Sequence, residues 1–128
     1  MKFATYTFRI AGIVGLLTIL PMYFLYDTIG RQDPPALNHP QIYFGFVGVT
    51  SVWQILFLVL SIDPVRYRPM MIPAVLEKLS FLGAIAILLS LKMMNFQQAI
   101  VTLPDAIMMG FFIAAYTKTP RAFESSQN

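Results

Sequence analysis

The stretch QIYFGFVGVTSVWQILFLVL, residues 41–60, runs for twenty residues without one charged side chain. An α-helix rises about 1.5 Å per residue, so twenty residues cover about 30 Å, the thickness of the hydrocarbon core of a bilayer. An open strand could not cross, because its backbone N–H and C=O groups would have no partners in lipid. The stretch therefore predicts a transmembrane helix.

Three more apolar runs of similar length occupy residues 8–26, 72–91 and 99–117. The chain of 128 residues is 57% hydrophobic and 12% charged, whereas a soluble domain is about a quarter charged. The first run is longer than the core of a signal peptide and no small-residue cleavage site follows it, which predicts a retained helix. We expect an all-α integral membrane four-helix bundle: one transmembrane domain with short loops and a polar cytoplasmic tail at residues 118–128.

The positive charges divide unevenly between the two sides that four spans would create. Arg31 and Lys92 lie on one side, and seven Lys and Arg residues lie on the other. Cytoplasmic loops carry the excess of Lys and Arg, so both termini are predicted inside, in a multi-pass protein of the bacterial cytoplasmic (inner) membrane. The seven are Lys2, Arg9, Arg66, Arg68, Lys78, Lys118 and Arg121.

Small residues mark the predicted helix contacts. Helices in lipid associate through small and polar residues, because the hydrophobic effect does not pull them together there. The fourth run carries Ala106, Gly110 and Ala114 at spacings of four, and the first carries Ala11 and Gly15. These positions predict close approach of helix backbones.

A polar stripe follows one face of the second run. Tyr43, Thr50, Gln54 and Ser61 recur at spacings of seven, four and seven, which places them on one seam of a helix. Such a stripe is expected to face other helices and not lipid. Two interpretations stay open: hydrogen bonding between helices, or the wall of a small polar cavity with Gln54 as its deepest group.

The most polar part of the chain is the segment SIDPVRYRPMMIPAVLEK, residues 61–78, between the second and third runs. Asp63 followed by proline is typical of the start of a helical turn. The guanidinium groups of Arg66 and Arg68 are suited to a phosphate or lipid head group. The alternative is an ion-paired elbow that fixes the hairpin geometry.

Glu77 and Lys78 close this segment. Glu77 is predicted to point inward from the first turns of the third helix, and Lys78 to extend to the membrane interface. With Arg9 and the elbow residues, both are candidates for one ionic network at the cytoplasmic edge. Glu77 is also a candidate catalytic acid or base, because desolvation can keep such a carboxylate protonated.

Asp105 lies inside the fourth run and has two interpretations. Thr102-Leu103-Pro104-Asp105 matches a capping-box pattern, which predicts a short fourth helix capped by Asp105 and preceded by the separate segment NFQQAIV, residues 95–101. The alternative is a continuous span in which Asp105 faces inward toward Asp27. The two acids would then titrate together as a proton or cation site.

Other chemistries find little support. The chain has no cysteine and a single histidine, His39, so we expect neither a metal site nor a cofactor. Phosphate-binding loops, serine-hydrolase elbows and zinc-protease motifs do not occur. Nothing predicts binding to nucleic acid.

The order of motifs resembles a family. FRIAGIVGLL at residues 8–17, WQILF at 53–57, DPVRYRP at 63–69 and LEK at 76–78, followed by an acid near the start of the last helix, are similar to the small bacterial four-helix membrane proteins of the DoxX-like type. The resemblance covers nearly the whole chain and implies fold and topology. DoxX is associated with a quinone-linked oxidase, but this chain has no redox-ligand motif. A weaker similarity is to the four-helix EXPERA proteins, which use acids beside a hydrophobic ligand.

Two functional expectations remain. The first is an accessory or hydrophobe- and lipid-binding membrane protein, whose partners are membrane lipids, a small hydrophobic ligand, a membrane protein or a second copy of itself. The second is a small membrane enzyme or proton-coupled carrier for an apolar substrate, using Glu77 and Asp105. The binding candidates are Gln54, Thr50, Tyr43, Asp63, Arg66, Arg68 and Asp27.

Overall fold

The computed structural model describes residues 2–125, and every regular element in that range is helical. The long helices are α1 Lys2–Ile19, α3 Pro40–Ile62, α4 Met71–Ser90 and α6 Leu103–Lys118. Short helices lie between and after them: α2 Tyr26–Gln32, α5 Phe96–Ile100 and α7 Ala122–Ser125. Two 3₁₀ turns, Leu20–Phe24 and Arg68–Met70, extend the end of α1 and the start of α4.

Four helical segments are long and apolar enough to cross a membrane. They are Lys2–Phe24, Pro40–Ile62, Arg68–Ser90 and Phe96–Lys118, each 23 residues long, with mean hydropathy between 1.6 and 2.0. Large apolar side chains on them remain exposed, such as Leu17 at 73% and Val52 at 64%. Such surfaces suit lipid as their solvent. The prediction of an all-α chain with four apolar spans is confirmed at this level.

The chain divides into two compact units. The α1–α3 unit comprises Arg9–Val59, and the α4–α6 unit comprises the chain up to Phe8 together with the chain from Leu60 onward. Each unit therefore has its own helix contact.

In the α1–α3 unit, glycines let two helix backbones come close together. A Cβ atom added to Gly12 would lie 2.8 Å from the backbone oxygen of Gln54 and 2.6 Å from Cγ of Leu58. A Cβ added to Gly15 would overlap the side-chain amide of Gln54. Small residues at helix contacts in lipid permit this approach. The prediction of a small-residue contact on α1 holds for Gly15, with Gly12 as its partner on the same face.

Aromatic side chains lie near the C-terminal end of α1, beside the start of α3. The Tyr43 hydroxyl donates a 2.7 Å hydrogen bond to the carbonyl oxygen of Met22, in the 3₁₀ turn that follows α1. Tyr26 contacts the rings of Tyr43 and Phe44, with centroids 5.1 Å and 5.4 Å away. Tyrosines of this kind anchor spans at the membrane–water boundary.

In the α4–α6 unit, α4 and α6 run antiparallel. Arg68, just before α4, contacts Thr119, just after α6. Ten residues further along the chain, Lys78 contacts Asp105, near the start of α6. In the same unit, the ring of Phe8 on α1 stacks on the ring of Phe112 on α6, with centroids 4.4 Å apart.

The connection between α4 and α6 contains two helix caps, one at the end of α4 and one at the start of α5. After α4, Met93 N–H bonds the carbonyl of Leu88 and Lys92 N–H bonds that of Leu89, while Lys92 has a φ of 58°. This is a Schellman ending with lysine at the left-handed position that glycine usually takes. Asn95 and Gln98 then form a reciprocal capping box at the start of α5. The predicted break at Asn95 is confirmed.

Candidate functional site

Lys78 is buried among apolar side chains of its span and is 5% exposed. Its Nζ donates a 2.7 Å hydrogen bond to Oδ1 of Asp105, which joins α4 to α6. The prediction that Lys78 extends to the interface is wrong. The reason is that an acid of opposite charge stands at the same depth on the neighbouring helix, and pairing costs less than leaving either charge alone in a low-dielectric medium.

Glu77 completes a charged cluster, defined here as Glu77, Lys78 and Asp105. Its side chain is 18% exposed, and its Oε2 atom lies 3.6 Å from Nζ of Lys78. That distance is too long for a good hydrogen bond. Oε2 is buried and accepts no hydrogen bond from any described residue. A buried polar atom without a partner is costly, so its persistence in a site calls for an explanation.

The cluster lies deep in the apolar part of the unit. Lys78 follows Arg68 by ten residues, which is about 15 Å along a helix. The hydrocarbon core of a bilayer is about 30 Å thick. The Lys78 Cα is therefore near the middle of the candidate span Arg68–Ser90. Ionisable residues at that depth are rare and usually mark a pathway for protons, ions or substrate.

The charges in the cluster do not balance. Two carboxylates face one ammonium group, which leaves one negative charge when all three groups are ionised. Desolvating an uncompensated charge costs several kcal/mol. One added proton would neutralise the cluster. The arrangement is thus able to exist in two states that differ by a single proton.

The two sequence interpretations of Asp105 have different outcomes. A separate short segment, α5, precedes α6 as the capping interpretation predicts. Asp105 itself is not the cap: the residue before α6 is Thr102, whose side chain makes no capping bond, and the Asp105 carboxylate accepts from Lys78. The capping box is formed by Asn95 instead. Coupling between Asp105 and Asp27 stays a prediction.

The elbow residues form a separate arrangement. Asp63 Oδ1 accepts a 3.3 Å hydrogen bond from the backbone N–H of Arg66, so the predicted capped turn is present. Arg66 is exposed, and its guanidinium lies 5.5 Å from the ring centroid of Tyr67. The charged end of Arg66 therefore points to the surroundings of the protein.

Arg68 is engaged within the protein. Its Nε donates a 2.7 Å hydrogen bond to the carbonyl oxygen of Thr119, and its guanidinium lies 3.9 Å from the ring centroid of Tyr116. A guanidinium over an aromatic ring with one N–H bonded to a helix end is a structural clamp. Among the described residues of this unit, the predicted members do not join into one network at the edge: Asp63 caps a turn, Arg68 binds the end of α6, and Glu77 and Lys78 pair in the deeper cluster.

Two residues of the polar stripe on α3, Tyr43 and Gln54, bond to backbone atoms of their own unit. Gln54 is 2% exposed, its Nε2 donates to the Thr50 carbonyl at 3.1 Å, and its side chain fills the space over Gly15. Tyr43 bonds Met22, as described above. Ser61 is also buried, at 2% exposure. This geometry favours the helix-contact interpretation over a polar cavity at Gln54.

Asp27 lies on the surface of the α1–α3 unit. It lines a cavity of about 380 Å³ with Tyr26, Gly30, Arg31, Ala36 and Leu37. His39 is exposed nearby in the chain. Across residues 2–125 there is no group of three or more His, Cys, Asp and Glu side chains close enough to hold a metal ion.

The Lys78–Asp105 pair was not identified from the sequence. Lys78 was assigned to the cytoplasmic edge by counting charges along the chain. The missed signal was its distance from the elbow: about 15 Å of helix exceeds what a lysine side chain can span to reach water. Without Lys78, six positive charges still oppose two, so the predicted orientation keeps its basis.

Comparison with known proteins adds no further guide to this cluster. No protein-family model, no curated protein and no solved structure matches this chain.

Proposed function

We propose that this protein is a small proton-coupled carrier for an apolar substrate, in which Glu77 takes up the proton. One observation carries the proposal: a buried carboxylate oxygen without a hydrogen bond lies beside the buried Lys78, which pairs with the partly exposed Asp105 about midway through an apolar span. A carrier is favoured over an enzyme because reversible binding of one proton needs only these three groups, whereas catalysis would also need a group that bonds to or polarises the substrate.

The proposed role follows from the two available partners of Lys78. With both acids ionised, the ammonium group stays with Asp105 at 2.7 Å. A proton on Glu77 removes the excess negative charge. With Glu77 neutral, its attraction for Lys78, 3.6 Å away, is lost and Lys78 is held by Asp105. Proton uptake on Glu77 therefore changes the charge balance beside the contact between α4 and α6, which is how proton binding would be linked to movement of a substrate.

The proposal includes a membrane and an orientation. We place the protein in the bacterial cytoplasmic membrane with both termini inside, because six Lys and Arg residues near the proposed inner side oppose Arg31 and Lys92. Membership of the DoxX-like family is likewise a proposal and rests on the motifs at residues 8–17 and 53–78. An oligomeric form is open to measurement.

Infrared difference spectroscopy across a pH step tests proton uptake directly. The chain has only two glutamates, Glu77 and Glu124, so ¹³C-labelled glutamate restricts the shifted carboxyl band to these two. In membranes, we expect a pH-dependent glutamic-acid C=O band that disappears in Glu77→Gln and persists in the matched control Glu124→Gln. A glutamic-acid difference spectrum of folded Glu77→Gln that is identical to that of Glu124→Gln would contradict the proposal.

A second candidate is an accessory protein that binds lipid or another hydrophobe at the elbow. It is favoured by one observation: Arg66 is exposed at the end of a span, whereas Arg68 is engaged by Tyr116 and Thr119. An exposed Arg at this place would contact the phosphate of an anionic lipid. The acyl chains of the lipid would then contact the apolar faces of the spans.

The two arginines give this candidate a matched test. Retention of an anionic phospholipid by the purified protein is measured by native mass spectrometry. We expect Arg66→Ala to lower retention while thermal stability stays unchanged, and Arg68→Ala to lower thermal stability. Equal retention by wild type and Arg66→Ala would leave the elbow as a turn with no ligand.

A further inference from the structure

We propose that the cavity in the α1–α3 unit binds the phosphoethanolamine head group of a membrane phospholipid. The cavity has a volume of about 380 Å³, within the range of sites for small molecules. This site is separate from the charged cluster and does not depend on the proposed proton uptake. Its lining combines two charges with apolar and aromatic groups: Tyr26, Asp27, Gly30, Arg31, Ala36 and Leu37.

The walls of the cavity are held by contacts between α2 and the segment that follows it. The Tyr26 hydroxyl donates a 2.7 Å hydrogen bond to the carbonyl oxygen of Leu37. Gly30 is buried, and a Cβ atom there would lie 3.1 Å from the backbone nitrogen of Leu37 and 3.2 Å from Cα of Ala36. The absence of a side chain at Gly30 therefore lets the returning chain approach α2 and close one side of the cavity.

Two opposite charges stand on one face of this wall. Asp27 and Arg31 are four residues apart on α2, so their Cβ atoms are about 5–6 Å apart. Arg31 Nε bonds weakly, at 3.4 Å, to the backbone carbonyl of Asp27. The two charged groups form no ion pair with each other, so both remain open to a ligand.

This charge pattern selects the chemistry of the ligand. A guanidinium binds phosphate oxygens with two parallel hydrogen bonds, and a carboxylate accepts hydrogen bonds from a primary ammonium group. Phosphoethanolamine carries both groups two carbon atoms apart, a separation that suits charges one helical turn apart. A trimethylated amine has no N–H to donate, and a glycerol head group has no positive charge.

The position of the cavity favours a lipid over a soluble zwitterion. Its residues lie in the connection between the spans Lys2–Phe24 and Pro40–Ile62, and therefore at a membrane–water boundary. The apolar lining residues, together with exposed apolar side chains of the preceding span such as Leu17 and Phe24, offer a surface to the acyl chains. Phospholipid head groups occupy this depth of the bilayer.

Native mass spectrometry with three phospholipids of identical acyl chains tests the proposal. Phosphatidylethanolamine, phosphatidylcholine and phosphatidylglycerol are titrated into the full-length protein in mild detergent. We expect phosphatidylethanolamine to be retained about tenfold better than either of the others, which is the effect of one charge-assisted hydrogen bond. Equal retention of phosphatidylcholine or phosphatidylglycerol would overturn the proposal, whatever the variants do.

Two variants and a control assign the effect to this cavity. Asp27→Asn should remove the preference for the primary amine, and Arg31→Gln should lower retention of all three lipids about tenfold. Lys92→Gln removes an exposed positive charge in the α4–α6 unit and should leave retention unchanged. A preference that survives Asp27→Asn in a protein with wild-type melting temperature would overturn the assignment.

Soluble O-phosphoethanolamine distinguishes the two sources of this head group. Added to the lipid-bound protein at equal concentration, it should displace little lipid, because it lacks the acyl chains. Displacement of half the lipid under these conditions would overturn the choice of a phospholipid. None of these variants alters Glu77 or Asp105, so the outcome is independent of the infrared test.

Discussion

The α1–α3 unit joins its helices through two glycines, whereas the α4–α6 unit joins its helices through an ion pair. At Gly12 and Gly15 the backbones come so close that no side chain fits, and the polar group between them, Gln54, is bonded to its own helix. Between α4 and α6, Lys78 reaches Asp105. The first contact is packing that adds no charge to the membrane. The second places charged groups in the apolar part of a span, where the low dielectric of lipid makes charge unfavourable.

The difference indicates which unit only packs its helices together and which unit carries the proposed function. Close packing of small residues is sufficient to hold two helices in lipid, so the α4–α6 unit did not need charges for that purpose. These charges are not needed for packing, and they leave one carboxylate oxygen without a hydrogen bond. A functional role explains them better. The unit with the ion pair is therefore the one to which we assign proton binding.

The largest expected effect is on Lys78. Lys78→Met leaves two carboxylates, 18% and 34% exposed, without their positive charge. The expected loss is about 2–4 kcal/mol in the free energy of unfolding, less than for a fully buried pair because Asp105 is partly exposed. Reversible unfolding in mixed micelles measures it. Lys2→Met, at an exposed residue on α1, is the control and should be within about 0.5 kcal/mol of wild type. Equal stability of both variants would remove the contrast between the units.

The packing contact should respond to added volume. Gly15→Ala forces a methyl group into the Gln54 side chain, with an expected cost of about 1–3 kcal/mol. Gly110→Ala on α6 is the matched control, because nothing lies within 4 Å of its Cβ position. That control should be neutral or stabilising by up to about 1 kcal/mol. The same unfolding assay serves both, and an equal loss in both variants would argue against close packing at Gly15.

The clamp at the end of α6 should contribute less than the ion pair. Arg68→Lys keeps the charge but loses the planar stack on Tyr116 and the Nε bond to Thr119. We expect a loss of about 1 kcal/mol. Arg66→Lys, at an exposed elbow position, should be silent. A larger effect at Arg66 than at Arg68 would reverse the assignment of the two arginines.

The smallest expected effect concerns the end of α4. Lys92 has a φ of 58°, a conformation that costs a non-glycine residue about 1 kcal/mol. Lys92→Gly should therefore raise the free energy of unfolding by about 0.5–1 kcal/mol. Lys92→Ala separates loss of the side chain from the backbone effect and should not stabilise. Equal stabilisation by both changes would point to the lysine charge as the cause.

Much of the fold was predictable because lipid restricts the choices. A run such as residues 41–60 has only one good conformation in a bilayer, and the breaks at Asn95 and Pro64 follow from capping chemistry. The contact at Gly15 was predicted from its size. Gly12 was not, because one sequence does not say which of several small residues faces the neighbouring helix.

The site was harder to predict because charged residues on neighbouring helices pair only when they lie at the same depth along the two helices. Glu77 and Asp105 were chosen as candidates from their chemistry alone. Lys78 was assigned to the wrong environment, since charge counting treats position along the chain and ignores how far the helix has entered the membrane. The cavity at Asp27 could not be predicted either, because it depends on how the chain after α2 folds back.

A double-mutant cycle on Lys78 and Asp105 tests the central claim most directly. The free energy of unfolding is measured for wild type, Lys78→Met, Asp105→Asn and the double variant in the same micelles. A pair in contact at 2.7 Å predicts a coupling energy on the order of 1–3 kcal/mol, with the double variant more stable than the sum of the single losses implies. Additive losses, with a coupling energy near zero, would contradict a direct ion pair between α4 and α6.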